Sequence, residues 1–145
     1  MPLTVRARNV QDQGHRYQDK GKKVTTYLIV FLGGGLGAAL RHGINILSVR
    51  WLGAGFPYGT LFINITGSLV MGFVAGYFAF KGDASQQLRL FLTTGILGGY
   101  TTFSAFSLDV AVLYERGEIW LAAAYVLLSV VVSIAALFAA LALVR

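Results

Sequence analysis

Between Arg89 and Asp109 the chain runs for nineteen residues without a charge, LFLTTGILGGYTTFSAFSL. At a rise of about 1.5 Å per residue, a helix of that length crosses a hydrocarbon core. Yet the run makes a poor continuous helix. Gly98 and Gly99 each cost about 1 kcal/mol relative to alanine in a helix interior. Tyr100, Thr101 and Thr102 follow them, and aromatic or β-branched residues favour extended backbone. A break near mid-membrane is therefore expected. It would free backbone groups that hydrocarbon cannot satisfy, so the turn must be buried in protein or line a wet cavity. Carbonyls freed there can coordinate a cation. Just beyond, Phe103 and Phe106 stand three apart and share one helical face.

The remainder reads as three more spans around this one. Apolar residues make up 56% of the 145 positions and charged ones only 12%, a membrane composition on the scale of one domain. The first span is expected over 25–49, with Arg41 as its only charge, the second over 59–80 and the fourth over 119–144. Lys81 to Gln87 and Asp109 to Glu118 are expected as polar connections, and an even number of spans returns both termini to one side. Residues 1–24 are polar, mixed in charge and without apolar period, so a disordered basic tail is expected ahead of a four-span domain over 25–145. No cleaved leader is expected, because the apolar run after the basic start is too long and lacks a small-residue cleavage pattern.

Six of the twelve lysines and arginines lie in the first 24 residues. That places the net charge of +6 at the flank of a span, where cytoplasmic basic residues gather, rather than on a face that would bind nucleic acid. Outside the tail, Lys81, Arg89 and Arg145 fall on one side and Arg41, Arg50 and Arg116 on the other. Three against three gives the core no preferred orientation, while the tail favours a cytoplasmic N-terminus.

Within the spans, glycines and polar residues recur at helical spacing. Gly33 and Gly37 form a GxxxG notch for close helix approach, as do Gly72 and Gly76. No strand or βαβ unit surrounds the first of these, which excludes a dinucleotide loop. Gly37, Arg41 and Asn45 repeat every four residues, so Arg41 either snorkels to head groups or turns towards a protein interior. Thr60, Asn64 and Ser68 form a second stripe, and Tyr125, Ser129 and Ser133 a third. Serines in membrane helices commonly bond the preceding turn, but three in register form a hydroxyl track.

No carboxylate falls inside these expected spans, no His/Asp/Glu cluster has metal-ligand spacing, and Ser104 has no candidate base, so an enzyme is not expected. Without cysteine, disulfides and thiolate metal sites are excluded. What remains is neutral donors, one arginine and paired phenylalanines. Donors without acids suit an anion, and ring edges carry the positive side of the aromatic quadrupole. Four short spans leave little room for a private aqueous path, which points to an oligomer. If subunits insert both ways up, two of them form an inverted pair.

The runs GGGLGAALRH from Gly33, GTLFINITGSLVMG from Gly59 and GILGGYTTFSAFS from Gly95 resemble the signatures of the CrcB/Fluc fluoride channels. The resemblance covers essentially all of 25–144. It implies an all-α membrane protein of four helices per subunit, assembled as an antiparallel dual-topology homodimer in the bacterial inner membrane. It implies fluoride as the passenger, a central structural sodium ion and a passive leak. Neutral hydrogen fluoride enters cells and ionises at cytoplasmic pH, and the leak lets the trapped anion out. By motif, Asn64 is similar to the pore amide of that family, and Phe103 and Phe106 to the pair whose ring edges contact fluoride. Arg41 resembles its vestibule arginine. Gly98 and Thr101 match the residues whose carbonyls hold sodium, Tyr125, Ser129 and Ser133 match the polar track of the fourth helix, and Thr60 is a further pore candidate. The chain departs from the family at Ala105, where a threonine is common, and in its longer basic tail. Two rivals make different demands. A small multidrug antiporter resembles another pattern, with a glutamate in the first span, and 25–49 has no acid. A membrane scaffold, in which the polar stripes only join helices, would pass no ion.

Overall fold

In a computed structural model, the described residues are 3–80 and 84–145, with side chains from Lys23 onward. Six α-helices follow one another: α1 Leu3–Leu52, α2 Tyr58–Phe80, α3 Gln86–Leu90, α4 Gly98–Tyr100, α5 Phe103–Glu115 and α6 Ile119–Val144. A π-helical stretch, Phe91–Leu97, joins α3 to α4. There is no strand among the described residues. Four segments are long and apolar enough to cross a membrane: Lys23–Leu52, Tyr58–Phe80, Gln86–Glu115 and Ile119–Val144. Over the tail expected at 1–24, Met1 and Pro2 lie outside the described residues, as do the side chains of 3–22, while the backbone belongs to α1 from Leu3. The connection expected at Lys81 to Gln87 loses Lys81, Gly82 and Asp83 to the same limit, and Gln86 already begins α3.

The helix ends follow local chemistry. α1 stops where Gly53 takes φ 81° and its N–H caps the Val49 carbonyl at 3.0 Å. Ser85 caps α3, accepting from Leu88 N–H at 3.2 Å. The connection expected from Asp109 onward is shorter than the sequence reading gave it: α5 continues to Glu115, since nothing before Gly117 breaks it. There, Gly117 at φ 77° donates to Tyr114 at 2.9 Å and Glu118 to Leu113 at 3.0 Å, closing a Schellman motif. Asp109 therefore lies within a membrane-length segment, which corrects the expectation of spans free of acid.

Both glycine notches are used. A Cβ at Gly37 would fall on the Ile96 carbonyl, and one at Gly33 would come within 2.8 Å of the Phe91 carbonyl. From the other side, Gly95 and Gly99 meet Gly33 and Gly34, so α1 lies backbone to backbone against the third span. Gly72 and Gly76 seat α2 against Leu137, Ala140 and Val144 of α6. The small core gathers Phe106, Leu113, Ala122 and Tyr125, with Phe56 packed against it. Elsewhere the spans expose large apolar side chains such as Phe31, Leu127 and Phe138, surface that water would penalise and lipid or another subunit accepts.

Candidate functional site

Thr101 and Thr102 stand between α4 and α5 with extended backbones, at φ/ψ of −75°/158° and −154°/126°. Asn64 of α2 accounts for this. Its Oδ1 accepts the Thr102 N–H at 3.0 Å and its Nδ2 donates to the Thr102 carbonyl at 3.1 Å, so one amide satisfies both polar groups of a buried residue. In an unbroken helix that N–H would have closed on the Gly98 carbonyl. The Ala105 N–H, which would have reached the Thr101 carbonyl, donates instead to Thr102 Oγ1 at 3.2 Å, the N-cap of α5. The carbonyls of Gly98 and Thr101 are thus released from helical pairing.

Neighbouring residues of α2 hold the same turn. Thr66 Oγ1 donates its single proton to the Phe62 carbonyl at 2.7 Å, so in its 2.9 Å contact with the Tyr100 hydroxyl the tyrosine donates. A Cβ at Gly67 would collide with Thr101 and sit 3.1 Å from the Tyr100 ring.

Beside the turn lies a cavity of about 310 Å³ whose polar wall comprises Asn64, Ser68, Thr101, Thr102, Ser129 and Ser133. Phe103 and Phe106 form its aromatic side, with ring centroids 5.5 Å apart at 44°. Phe106 is buried, whereas Phe103 is 78% exposed. The serines are unusual in what they do not bond. Thr93, Thr101 and Ser107 all donate to the carbonyl four residues back, at 2.8–2.9 Å. The Oγ atoms of Ser129 and Ser133 are buried and have no partner among the described residues. Such hydroxyls are costly to leave unsatisfied, and they fit a site whose ligand accepts hydrogen bonds.

A second cavity, of about 270 Å³, opens between the α1–α2 turn and α5, with Asn45, Thr60, Asp109 and Arg116 on its wall. Tyr125, on the wall of neither, contacts residues of both. It is fully buried, donates to Asp109 Oδ2 at 3.0 Å, and its phenol lies beside the hydroxyls of Thr60 and Ser129. Its ring packs at 5.3 Å on Phe106 and edge-on at 5.5 Å to Phe56.

Most sequence-predicted residues converge here. Asn64, Phe103, Phe106, Ser129, Ser133 and Thr101 line the inner cavity, Thr60 lines the outer one, and Tyr125 contacts both walls. Gly98 stands one turn before Thr102, outside both walls. Half-buried Arg41 lines neither cavity, although Asn45 one turn along does. Sequence reasoning passed over Thr66, Arg116 and above all Asp109. The spacing of Phe103, Phe106 and Asp109 puts that carboxylate on the phenylalanine face, a signal that was available.

Residues 28–141 match the family described as CrcB-like protein, Camphor Resistance (CrcB). The chain is 72% identical over 120 residues to the fluoride-specific ion channel FluC of Rhodopseudomonas palustris strain BisB5, covering 83% of this chain and 97% of that protein. It is 63% identical over 119 residues to fluoride-specific ion channel FluC 2 of Nitrobacter hamburgensis, covering 82% and 96%. The FluC of Granulibacter bethesdensis is 56% identical over 120 residues, covering 83% and 94%. With four membrane-length segments and a match that spans most of its length, the chain is a multi-pass membrane protein and belongs to the CrcB/Fluc family.

Proposed function

We propose that the protein is a passive, fluoride-selective channel of the inner membrane, built as an antiparallel dual-topology homodimer, that lets fluoride leave the cytoplasm. The observation that carries this is the inner cavity: buried, unpartnered Ser129 and Ser133 hydroxyls and the Asn64 amide stand opposite the Phe103–Phe106 pair. A bare ion entering hydrocarbon faces a cost of tens of kcal/mol, so protein donors must replace its water. The second N–H of Asn64, beyond the one given to Thr102, adds a further donor. Ring edges supply weaker positive potential without the strong pairing that would trap the ion. Tyr125 and Thr60 continue the hydroxyl line towards the outer cavity, and Arg41 belongs to a vestibule completed outside the single subunit. The relatives' names, fluoride-specific ion channel, support the same passenger. Channels of this kind move an ion down its gradient and perform no catalysis.

The break lies at mid-membrane in this reading, where its twin from the inverted subunit meets it. The 78% exposure of Phe103 supports a partner there. The carbonyls of Gly98 and Thr101 fit a structural sodium ion, since both are released from helical pairing and a hard cation takes oxygen ligands. When bound, sodium would supply charge that fixes those carbonyls.

Fluoride efflux from proteoliposomes, followed with an electrode, tests the reading. The wild type is expected to empty the vesicles rapidly, Phe103→Ile and Asn64→Ala to slow them at least tenfold, and chloride to be retained. Equal efflux in all three proteins defeats the site, and no efflux in any defeats the channel.

A further inference from the structure

The outer cavity carries two charged side chains on its wall, Asp109 and Arg116. They lie seven residues apart on one face of the α5 segment, so Arg116 stands about two turns, roughly 10 Å, outside the carboxylate. Asp109 is half-buried and held by Tyr125, so its charge faces anything that enters. Arg116 is held at the rim: its Nη1 donates to the carbonyls of Ala54 and Gly55 at 3.4 and 3.5 Å, tying the α5–α6 turn to the α1–α2 turn. A guanidinium carries five N–H donors, and these two bonds leave others for a ligand. Arg41, the vestibule arginine suggested by resemblance, lines neither cavity.

We propose that Arg116 is the rim cation of the fluoride path, a positioning residue that offsets the Asp109 charge and concentrates the anion at the outer cavity. This rests on the channel reading. Without Arg116 an arriving anion would meet a cavity with net negative charge. Focusing by one sign of charge raises local ion concentration and falls with ionic strength.

The test measures fluoride efflux at low fluoride from vesicles holding wild type, Arg116→Gln or Arg116→Lys, in about 10 mM and about 300 mM of an impermeant salt, where screening lengths differ several-fold. Arg116→Gln is expected to lose about 3- to 10-fold at the lower ionic strength. The gap should close at the higher one, and Arg116→Lys should keep most of the wild-type rate. Two results overturn the assignment: an Arg116→Gln rate equal to wild type at low salt, or a deficit that is the same at both salts and is not rescued by lysine, which marks a loop latch only. Wild-type vesicles that pass no fluoride overturn the channel reading itself, and the assignment falls with it.

Discussion

Replacing Asn64 with alanine removes both hydrogen bonds to Thr102, at 3.0 and 3.1 Å, and leaves a residue of 8% exposure with an unpaired N–H, while its C=O keeps the first helical bond of α5 as the N-cap carbonyl. Two limits bracket the cost. Interhelical hydrogen bonds in membrane proteins average about 0.6 kcal/mol each, so two give a floor near 1 kcal/mol. A buried group left unsatisfied costs about 1–3 kcal/mol, which with about 1 kcal/mol for the second lost bond gives a ceiling near 4 kcal/mol. The freed N–H has one escape, back to the Gly98 carbonyl in a straightened helix, but that would drive Thr101 away from its seat on Gly67. A loss of about 2–4 kcal/mol is expected. Reversible unfolding in mixed detergent, read by circular dichroism, measures it. Ser68→Ala is the control: that serine lies one turn along the same helix, on the same cavity wall, and should shift stability by less than about 0.5 kcal/mol. If Asn64→Ala unfolds within 0.5 kcal/mol of the wild type, or no worse than Ser68→Ala, the amide does not hold the turn and the account of the break fails.

Ser129→Ala and Ser133→Ala should separate stability from transport. Neither hydroxyl has a partner among the described residues, so each variant should match or exceed wild-type stability by up to about 1 kcal/mol while fluoride efflux falls; a destabilised serine variant would mean a bond is there. Gly37→Ala drives a Cβ onto the Ile96 carbonyl and should cost about 1–3 kcal/mol in the same unfolding assay, against little change for Gly35→Ala, where the space is open. Tyr125→Phe keeps the ring packed on Phe106 but strands the Asp109 carboxylate. It should cost about 1–3 kcal/mol and slow efflux, and an unchanged flux would remove the phenol from the path.

The span count was legible because charge is so costly in hydrocarbon: the fourth span, expected over 119–144, is α6 Ile119–Val144. The close helix approaches were legible too, since glycine at four-residue spacing has few other uses in a membrane. The extent of α5 was not. Asp109 looked like the start of a connection because its partner, Tyr125, lies sixteen residues away in sequence, and a carboxylate's tolerance for burial depends on that one contact. The π-helical stretch ahead of Gly98, which packs against α1 at Gly95, left no signal either. Serine spacing put Ser129 and Ser133 on one face, but only the rotamers separate them from Thr93 and Ser107, which bond their own helix.

Asn64 does more than stabilise a turn, because of which groups it leaves over. It takes the N–H and the carbonyl of Thr102 together, and Thr102 Oγ1 takes the N–H of Ala105. Of the four N–H groups displaced from the helical ladder at this point, those of Thr102 and Ala105 are therefore satisfied within the protein, while the carbonyls they abandoned, of Gly98 and Thr101, are released from helical pairing. Those carbonyls suit a cation such as the proposed sodium. On the cavity side, the second Asn64 N–H and the unpaired serine hydroxyls offer protons to the inner cavity. One asparagine thus touches both sides of the break. If sodium and fluoride sites are both real, Asn64→Ala should weaken the thermal stabilisation conferred by sodium as well as fluoride flux, whereas Ser133→Ala should impair flux and leave the sodium-dependent shift in melting temperature intact. A Ser133→Ala protein that loses the sodium shift would show that the two sides of the break are not separate.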